Sequence, residues 1–213
     1  MSKLPLSRLV DLAFALQGRI LPRSHRRELA RALLQVLPWL ADEPLAGVHR
    51  LNLSAGTGPE ALLSNRTRLV LRRPRERVAD AQALAGATLA LGGHSLRVQG
   101  PPQVRELLPY GTLYAHVVAA PRPDELAFLD DVDGELQHLG IAGRRMCGRQ
   151  QAVADSTGAS DGADVGALVG YSLMLDGLTP VHAQHLMEQG LGPHRLWGCG
   201  LFIPHKSAAA VGS

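Results

Sequence analysis

The sequence predicts an α+β fold made of two halves that pass through strands and helices in the same order. Short apolar runs alternate with stretches whose apolar residues recur at helical spacing. The order strand, helix, strand, strand, helix, strand occurs once in each half, with a proline-rich stretch between the halves. A glycine-rich segment at 190–200 precedes the last apolar run. These observations predict two domains, at 1–105 and 106–213.

The first half begins with an apolar strand predicted at 8–16. A helix is predicted at 26–40, with Ser24 as its N-cap and with Pro38 ending or kinking it. Polar and apolar residues alternate at 66–72, which is typical of a strand with one basic edge. The other predicted elements of this half are a strand at 48–53, a loop at 56–65, a helix at 74–84, and hairpin strands at 88–91 and 95–98.

Three prolines at positions 101, 102 and 109 mark the predicted linker. The second half then repeats the element order of the first. Its predicted elements are a strand at 112–120, a helix at 123–139, a basic strand at 144–153, a polar glycine-rich turn at 154–164, a strand at 165–175, a helix from Pro180, and a strand at 201–203. The order βαββαβ in each half predicts two tandem ferredoxin-like (RRM-like) units followed by the glycine-rich loop.

The charge of the chain is mildly basic, at +3 with a pI near 9.2, and favours an anionic partner. Arginine supplies nearly all of the positive charge, and it suits phosphate recognition, although a GC-rich genome produces the same bias. The two cysteines are far apart and form no C-x-x-C motif, so neither a zinc site nor a disulfide framework is indicated. No signal peptide or membrane-length apolar run is evident, so we expect a cytoplasmic protein without a membrane partner.

Segment 190–200 contains two glycine triplets, G-h-G, separated by five residues, where h is apolar. Backbone N–H groups in such a loop form a concavity suited to an anion, and an arginine inside it adds a fork for phosphate. The alternative is a long hairpin loop whose glycines supply positive φ angles. The predicted phosphate contacts are Gly190, Gly192, His194, Arg195, Gly198 and Gly200.

This spacing, with its internal basic residue and the following Leu-Phe-Ile-Pro, resembles the signature of the Cas6 family of CRISPR-associated ribonucleases. The run 10–25 and the chain length resemble the MYXAN-subtype branch of that family. The resemblance implies a metal-independent endoribonuclease that cleaves CRISPR repeat RNA in precursor crRNA, with a 2′,3′-cyclic phosphate as product. It also implies partners: a repeat stem-loop that stays bound, and other Cas proteins of a type I effector complex.

Nine histidines are present, and His25 is the preferred catalytic candidate. It lies at the predicted start of the first helix, where several family members carry their catalytic histidine. A helix N-terminus attracts phosphate and lowers a histidine pKa, which favours a general base. His49 is the second candidate, and Arg19 and Arg23 are predicted to stabilise charge.

Two arginine clusters are predicted to bind RNA, although each is equally compatible with an ordinary solvated face. No RNP-like run is present, so readout of backbone and shape is favoured over base stacking. The clusters consist of Arg72, Arg73, Arg75 and Arg77, and of Arg144, Arg145 and Arg149.

Several other functions stay open at this point. A non-cleaving repeat-RNA-binding subunit is the main alternative, and an unrelated RRM-like module is another. His182 and His185 share one helical face, but they lack the acidic or cysteine partners expected of a metal site. No paired-carboxylate motif indicates a metal-dependent nuclease. We therefore expect neither a metal nor a cofactor.

Overall fold

The computed structural model describes residues 4–54, 58–154 and 168–205. The chain forms two compact units. Of the described residues, the N-terminal unit contains 8–54, 58–106 and 196–198, and the C-terminal unit contains 4–7, 107–154, 168–195 and 199–205. Each unit contains an antiparallel sheet and helices, which confirms the predicted α+β class.

The N-terminal unit is built on a five-stranded sheet in the order β3-β5-β1-β7-β6. Without β6, which only extends the β7 hairpin, this order is that of a ferredoxin-like unit. Strands β2 and β4 form a separate ribbon. The elements are β1 (Leu9–Gln17), β2 (Ile20–Pro22), α1 (Arg26–Val36), β3 (Gly47–Val48), β4 (Glu60–Leu62), β5 (Arg68–Pro74), β6 (Thr88–Leu91) and β7 (His94–Glu106).

The central strand β1 explains how this unit is layered. Val10, Leu12 and Phe14 are fully buried and belong to one core with Leu29 and Leu33 of α1. Successive strand residues point to opposite faces of a sheet, so the intervening Asp11 lies on the face away from that core. A charged residue in the middle of a central strand therefore needs partners on that second face.

The C-terminal unit has a four-stranded sheet in the order β11-β8-β10-β9, the order of a complete ferredoxin-like unit. Two of its helices have N-caps that the sequence signals: the side chain of Asp124 accepts from Ala127 N, and that of Thr179 from His182 N. The elements are β8 (Leu113–Ala120), α2 (Glu125–His138), β9 (Arg144–Ala154), β10 (Leu168–Asp176), α3 (Pro180–Gln189) and β11 (Phe202–Pro204).

The helix predicted at 74–84 is wrong. Two 3₁₀ segments, Arg75–Arg77 and Asp80–Leu84, occupy this stretch, and its turns close with i to i+3 hydrogen bonds. The physical reason is the apolar spacing: Val78, Ala81 and Leu84 recur every three residues, which is the period of a 3₁₀ helix.

The predicted linker is also wrong at its start, because β7 continues to Glu106 and pairs with β1 on both sides of residues 100–102. Phe14 of β1 lies opposite three residues, 100–102, between the pairs Ala13–Gln103 and Ala15–Gln99. This bulge accommodates the glycine and two prolines without ending the strand.

Other element predictions differ by smaller amounts. The strand predicted at 48–53 is reduced to the two residues of β3, and β4 forms inside the stretch expected to be loop. The N-cap of α1 is His25 instead of Ser24, and no side chain caps that helix end. The turn predicted at 154–164 lies outside the described residues except for Ala154, which ends β9. Among the described residues, no helix is long and apolar enough to cross a membrane.

Candidate active site and RNA-binding residues

His25 occupies the N-cap position of α1 and is only 4% exposed. Its Nδ1 lies 2.9 Å from the carbonyl oxygen of Pro22, and since a carbonyl only accepts, Nδ1 carries the hydrogen. The neutral ring therefore has its lone pair on Nε2. Burial lowers the pKa of His25, and the nearby charges of Arg26 and Arg50 act in the same direction. The ring is thus set up to accept a proton at Nε2.

Part of the glycine-rich loop belongs to the same unit as His25. The guanidinium of Arg26 donates to the carbonyl of Trp197 at 3.0 Å, and the side chain of Leu196 packs against the core of the N-terminal unit. A Cβ added to Gly198 would lie 3.0 Å from Val48 O and 3.4 Å from Arg50 N. Segment 196–198 therefore lies beside Arg26 and Arg50, the two cations that flank His25.

His49 belongs to a second constellation, on the face of the sheet away from α1. Its Nε2 lies 3.3 Å from a carboxylate oxygen of Asp11, which Arg72 holds with two further hydrogen bonds of 2.9 Å. Burial raises the pKa of Asp11, but the charges and hydrogen bonds of His49 and Arg72 outweigh burial and keep this pKa well below its usual range. His49 is therefore anchored by a carboxylate, while His25 is anchored by a backbone carbonyl.

The two arginines predicted to stabilise charge are both exposed. Arg23 lies directly before the His25 turn, and its Nε donates to the carbonyl of Gly58 at 2.8 Å. Arg19 lies in the turn between β1 and β2, and its carbonyl accepts from Leu63 N. Their roles at the reacting phosphate stay predictions.

The glycines of the loop allow its backbone geometry. All four of the predicted contact glycines have positive φ angles, between 67° and 80°. At the base of the loop, Leu191 N donates to Gly200 O, and a Cβ on Gly200 would lie 1.9 Å from Leu191 O. The hairpin interpretation therefore accounts for Gly190 and Gly200 without a ligand.

Other polar groups of the loop also have partners within the C-terminal unit. The N–H of Gly192 donates to a carboxylate oxygen of Glu135 at 2.8 Å, so a protein anion already occupies this position. Arg195 donates to the carbonyls of Gln189 and Glu188, which caps the C-terminal end of α3. We therefore leave Gly192 and Arg195 out of the proposed RNA contacts. His194 is exposed and has a left-handed backbone, with φ 67°.

Replacing Gly200 with alanine is expected to destabilise the C-terminal unit by about 3 kcal/mol or more, because positive-φ strain adds to a direct clash with Leu191 O. Gly192→Ala is the matched control, since its φ is 68° and its added Cβ meets nothing closer than 3.4 Å. Backbone strain alone is expected to lower the free energy of unfolding of Gly192→Ala by about 1 kcal/mol. Urea unfolding of both variants measures the difference, and equal losses would contradict the clash.

Two members of the first arginine cluster are buried, which corrects their prediction as RNA contacts. Arg72 is fully buried against Asp11, as described above. Arg73 is also fully buried, with its guanidinium 4.6 Å from the ring centre of Trp39 and with no hydrogen-bond partner. Neither side chain reaches the surface: the two residues are consecutive in β5 and point to opposite faces of the sheet, and each is covered on its own face.

Replacing Arg73 with methionine is expected to leave repeat-RNA affinity unchanged and to lower the free energy of unfolding by no more than about 1 kcal/mol. Burial without hydrogen bonds lowers the pKa of Arg73 to about 10, so its charge costs free energy that an apolar side chain avoids. Arg77→Met is the comparison variant: Arg77 also lies over Trp39 but is exposed and stays a predicted RNA contact, so its replacement is expected to weaken RNA binding. A selective loss of RNA affinity in Arg73→Met would restore the original prediction.

The remaining predicted arginines lie at the surface or close to it. Arg75 and Arg77 form ion pairs with Glu106 and Asp80. On the edge strand β9, Arg144 pairs with Asp176, Arg145 pairs with Asp133, and Arg149 is exposed. Exposed pairs are weak and exchange readily for phosphate, so these five arginines stay predicted RNA contacts.

The sequence prediction missed three residues near His25: Arg26, Arg50 and Trp197. A signal for two of them was present, because each of the two candidate histidines is followed directly by an arginine. Trp197 had no comparable signal, since only the fold brings position 197 next to α1. Among the described residues, no group of three His, Cys, Asp or Glu side chains is arranged to hold a metal ion.

The arrangement defines a tandem ferredoxin-like protein with a histidine in the same unit as segment 196–198 of a glycine-rich loop, and comparisons with known proteins identify its family. The family model described as Cas6 Crispr matches residues 10–207, so the chain belongs to the Cas6 family. The CRISPR-associated endonuclease Cas6 of Myxococcus xanthus strain DK1622 is 36% identical over 205 residues, which cover 96% of this chain and 85% of that protein. The family resemblance is thereby confirmed.

Solved structures share the fold at much lower identity. A CRISPR-associated protein Cas6 superposes with a TM-score of 0.66 at 9% identity, covering 94% of this chain and all of that one. A RAMP protein described as binding different RNA substrates gives a TM-score of 0.59 at 12% identity, covering 91% of this chain and 98% of its own. A Cas6-related protein from Pyrococcus furiosus gives 0.57 at 12% identity, with 92% and 98% covered. These likenesses support the tandem ferredoxin-like fold.

Proposed function

We propose that this chain is a metal-independent endoribonuclease that cleaves CRISPR repeat RNA in precursor crRNA, with His25 as general base. The observation that carries the proposal is a histidine whose Nδ1 is hydrogen-bonded to the Pro22 carbonyl, which leaves Nε2 as the acceptor when the ring is neutral, with Arg26 and Arg50 nearby, in a member of the Cas6 family. The 36% identical relative is itself named a CRISPR-associated endonuclease.

The proposed reaction uses the RNA's own 2′-hydroxyl as nucleophile. His25 Nε2 takes the hydroxyl proton, the 2′-oxygen bonds to the adjacent phosphorus, and the bond to the 5′-oxygen breaks as that oxygen takes a proton from water. The protonated His25 then returns its proton to the solvent. The products are a 2′,3′-cyclic phosphate and a 5′-hydroxyl. Arg26 and Arg50 offer cationic donors to the extra negative charge that develops on the phosphate.

The proposed substrate is a repeat with a stem-loop, cut on the 3′ side of the stem and retained afterwards. The exposed arginines of β9 and of the 3₁₀ segment after β5 supply candidate contacts to the phosphate backbone. Retention of the product favours transfer to other Cas proteins of a type I effector complex. Because the substrate is a transcript, the proposed place of action is the cytoplasm.

The test uses a repeat RNA from an array next to the gene, incubated with the protein in EDTA and resolved on a denaturing gel. A single cut with a cyclic phosphate end is the expected result. Cleavage that requires added Mg²⁺ would overturn the metal-independent mechanism, and absence of both binding and cleavage would overturn the RNA substrate.

The second candidate function is a repeat-RNA-binding subunit that does not cut. The burial of His25 favours it, because a base that is 4% exposed must be reached by the ribose before it can act. Tight binding of the repeat with no cut in the same assay would select this candidate.

A further inference from the structure

Trp197 is the one large aromatic residue in the glycine-rich loop, and its ring is half-buried. Three other contacts already attach segment 196–198 to the N-terminal unit: the Leu196 side chain, the Trp197 carbonyl and the Gly198 backbone. The segment is therefore attached to this unit by contacts other than the indole ring, and residue 197 retains exposed surface beside the helix end that carries His25.

The charges around the ring match a nucleotide. The guanidinium of Arg27 lies over the ring, 5.4 Å from its centre, and Arg26 donates a hydrogen bond to the carbonyl of the same residue. The backbone nitrogen of Arg50 and the guanidinium of Arg26 lie 3.4 Å and 3.5 Å from where a Cβ on Gly198 would be. An aromatic ring with a guanidinium over one face and further arginines nearby offers its other face to a base and supplies donors for the phosphates attached to it.

We propose that Trp197 stacks on one nucleobase of the RNA strand next to the scissile phosphate, and that this contact positions the strand at His25. The inference rests on the proposed function and assigns the base subsite of that same site. Trp197 is a positioning residue in this scheme, since it holds the base while His25 moves the proton. Stacking on an indole tolerates any base, so the subsite fixes strand register and not sequence.

The first experiment measures tryptophan fluorescence, because the chain contains only two tryptophans. The other, Trp39, lies beneath Arg73 and has its indole nitrogen buried. Titration with a repeat RNA that carries 2′-deoxyribose at the cut site is expected to quench emission in the wild type and in Trp39→Phe, and to leave Trp197→Phe unquenched. Equal quenching in Trp197→Phe would overturn the inference.

The second experiment is a double-mutant cycle between the ring and a single base. Abasic nucleotides are placed one at a time around the mapped cut. One position is expected to weaken binding about tenfold with wild type and about twofold or less with Trp197→Leu, while Trp197→Phe behaves as wild type. If Trp197→Leu weakens all these RNAs equally, the ring serves only to hold the loop and the inference fails.

Failure of the proposed function gives a different pattern. If the wild type neither binds nor cuts the repeat, the substrate proposal fails, and the subsite is tested with a short single-stranded oligoadenylate. Quenching that is lost in Trp197→Phe then still supports a base subsite, and its absence in the wild type overturns one. Matching thermal unfolding curves for the variants show that folding is intact.

Discussion

His25→Ala is expected to lower the rate of repeat cleavage by at least about 100-fold, while repeat affinity stays within about threefold of wild type. A general base contributes on the order of 10² to 10⁴ to a rate, and His25 is proposed to act on the proton and not to hold the RNA. Single-turnover cleavage with saturating protein, measured beside equilibrium binding, separates the two effects.

The pH dependence provides a second readout for the same residue. A base acts in its neutral form, and burial lowers the pKa of His25 below the ordinary histidine value. The neutral form of the ring therefore persists to lower pH than in an ordinary histidine, so the acid limb of the cleavage profile is expected to lie below the ordinary histidine pKa. An acid limb centred above pH 7 would point to a different base.

His49→Ala is the matched comparison, because His49 is the other predicted catalytic histidine and is bound to Asp11. If His49→Ala abolishes cleavage and His25→Ala leaves it intact, the base is His49, held by Asp11 and Arg72. Loss of cleavage in both variants, with binding preserved, would assign two proton-transfer groups to the site.

Asp11→Asn is expected to lower the free energy of unfolding by about 3 kcal/mol at neutral pH. The change removes the charge that Arg72 faces, and Arg72 is fully buried, so a guanidinium is left in the sheet without its counterion. Thermal or urea unfolding of the full chain measures the loss. The control is Glu106→Gln, which disrupts an exposed ion pair that Glu106 forms with Arg75 through two hydrogen bonds. This change is expected to lower the free energy of unfolding by about 1 kcal/mol or less.

The Asp11 effect has a defined dependence on pH. Because the folded state holds the pKa of Asp11 below its unfolded value near 4, the stabilisation is complete above that value and decreases as the pH falls below it. The gap between wild type and Asp11→Asn is therefore expected to narrow in acid. A gap that stays constant down to pH 2 would show that the carboxylate charge is not its origin.

The sequence predicted the architecture well because the strands and helices of both units carry strong local signals. Proline and threonine at the start of α3, and aspartate before α2, are cap signals that do not depend on distant contacts. The α-helix predicted at 74–84 was wrong for a local reason. Apolar residues three apart fit a 3₁₀ helix, but they also fit part of an α-helix, so the spacing alone does not separate the two. The bulge at 100–102 depends on pairing with β1, which no local pattern contains.

The site was predicted less completely, for a physical reason that Arg72 illustrates. Alternation along β5 indicates that Arg72 lies on the polar face of the strand. It does not indicate whether a carboxylate on another strand pairs with Arg72. Asp11 is 61 positions away, and only the register of β1 against β5 makes them partners. The location of His25 came from family resemblance, while its hydrogen bond to Pro22 and its arginine neighbours required the fold.

The membership of residues 196–198 in the N-terminal unit has a consequence for the order of synthesis. A ribosome synthesises residues 8–106 long before it reaches position 196, and domains generally fold as units during synthesis. At that stage the carbonyl that Arg26 binds and the ring beside Arg27 do not yet exist. The neighbourhood of His25 is completed only when almost the whole chain has been translated. A transcript that encounters an unfinished chain therefore encounters the His25 region without segment 196–198.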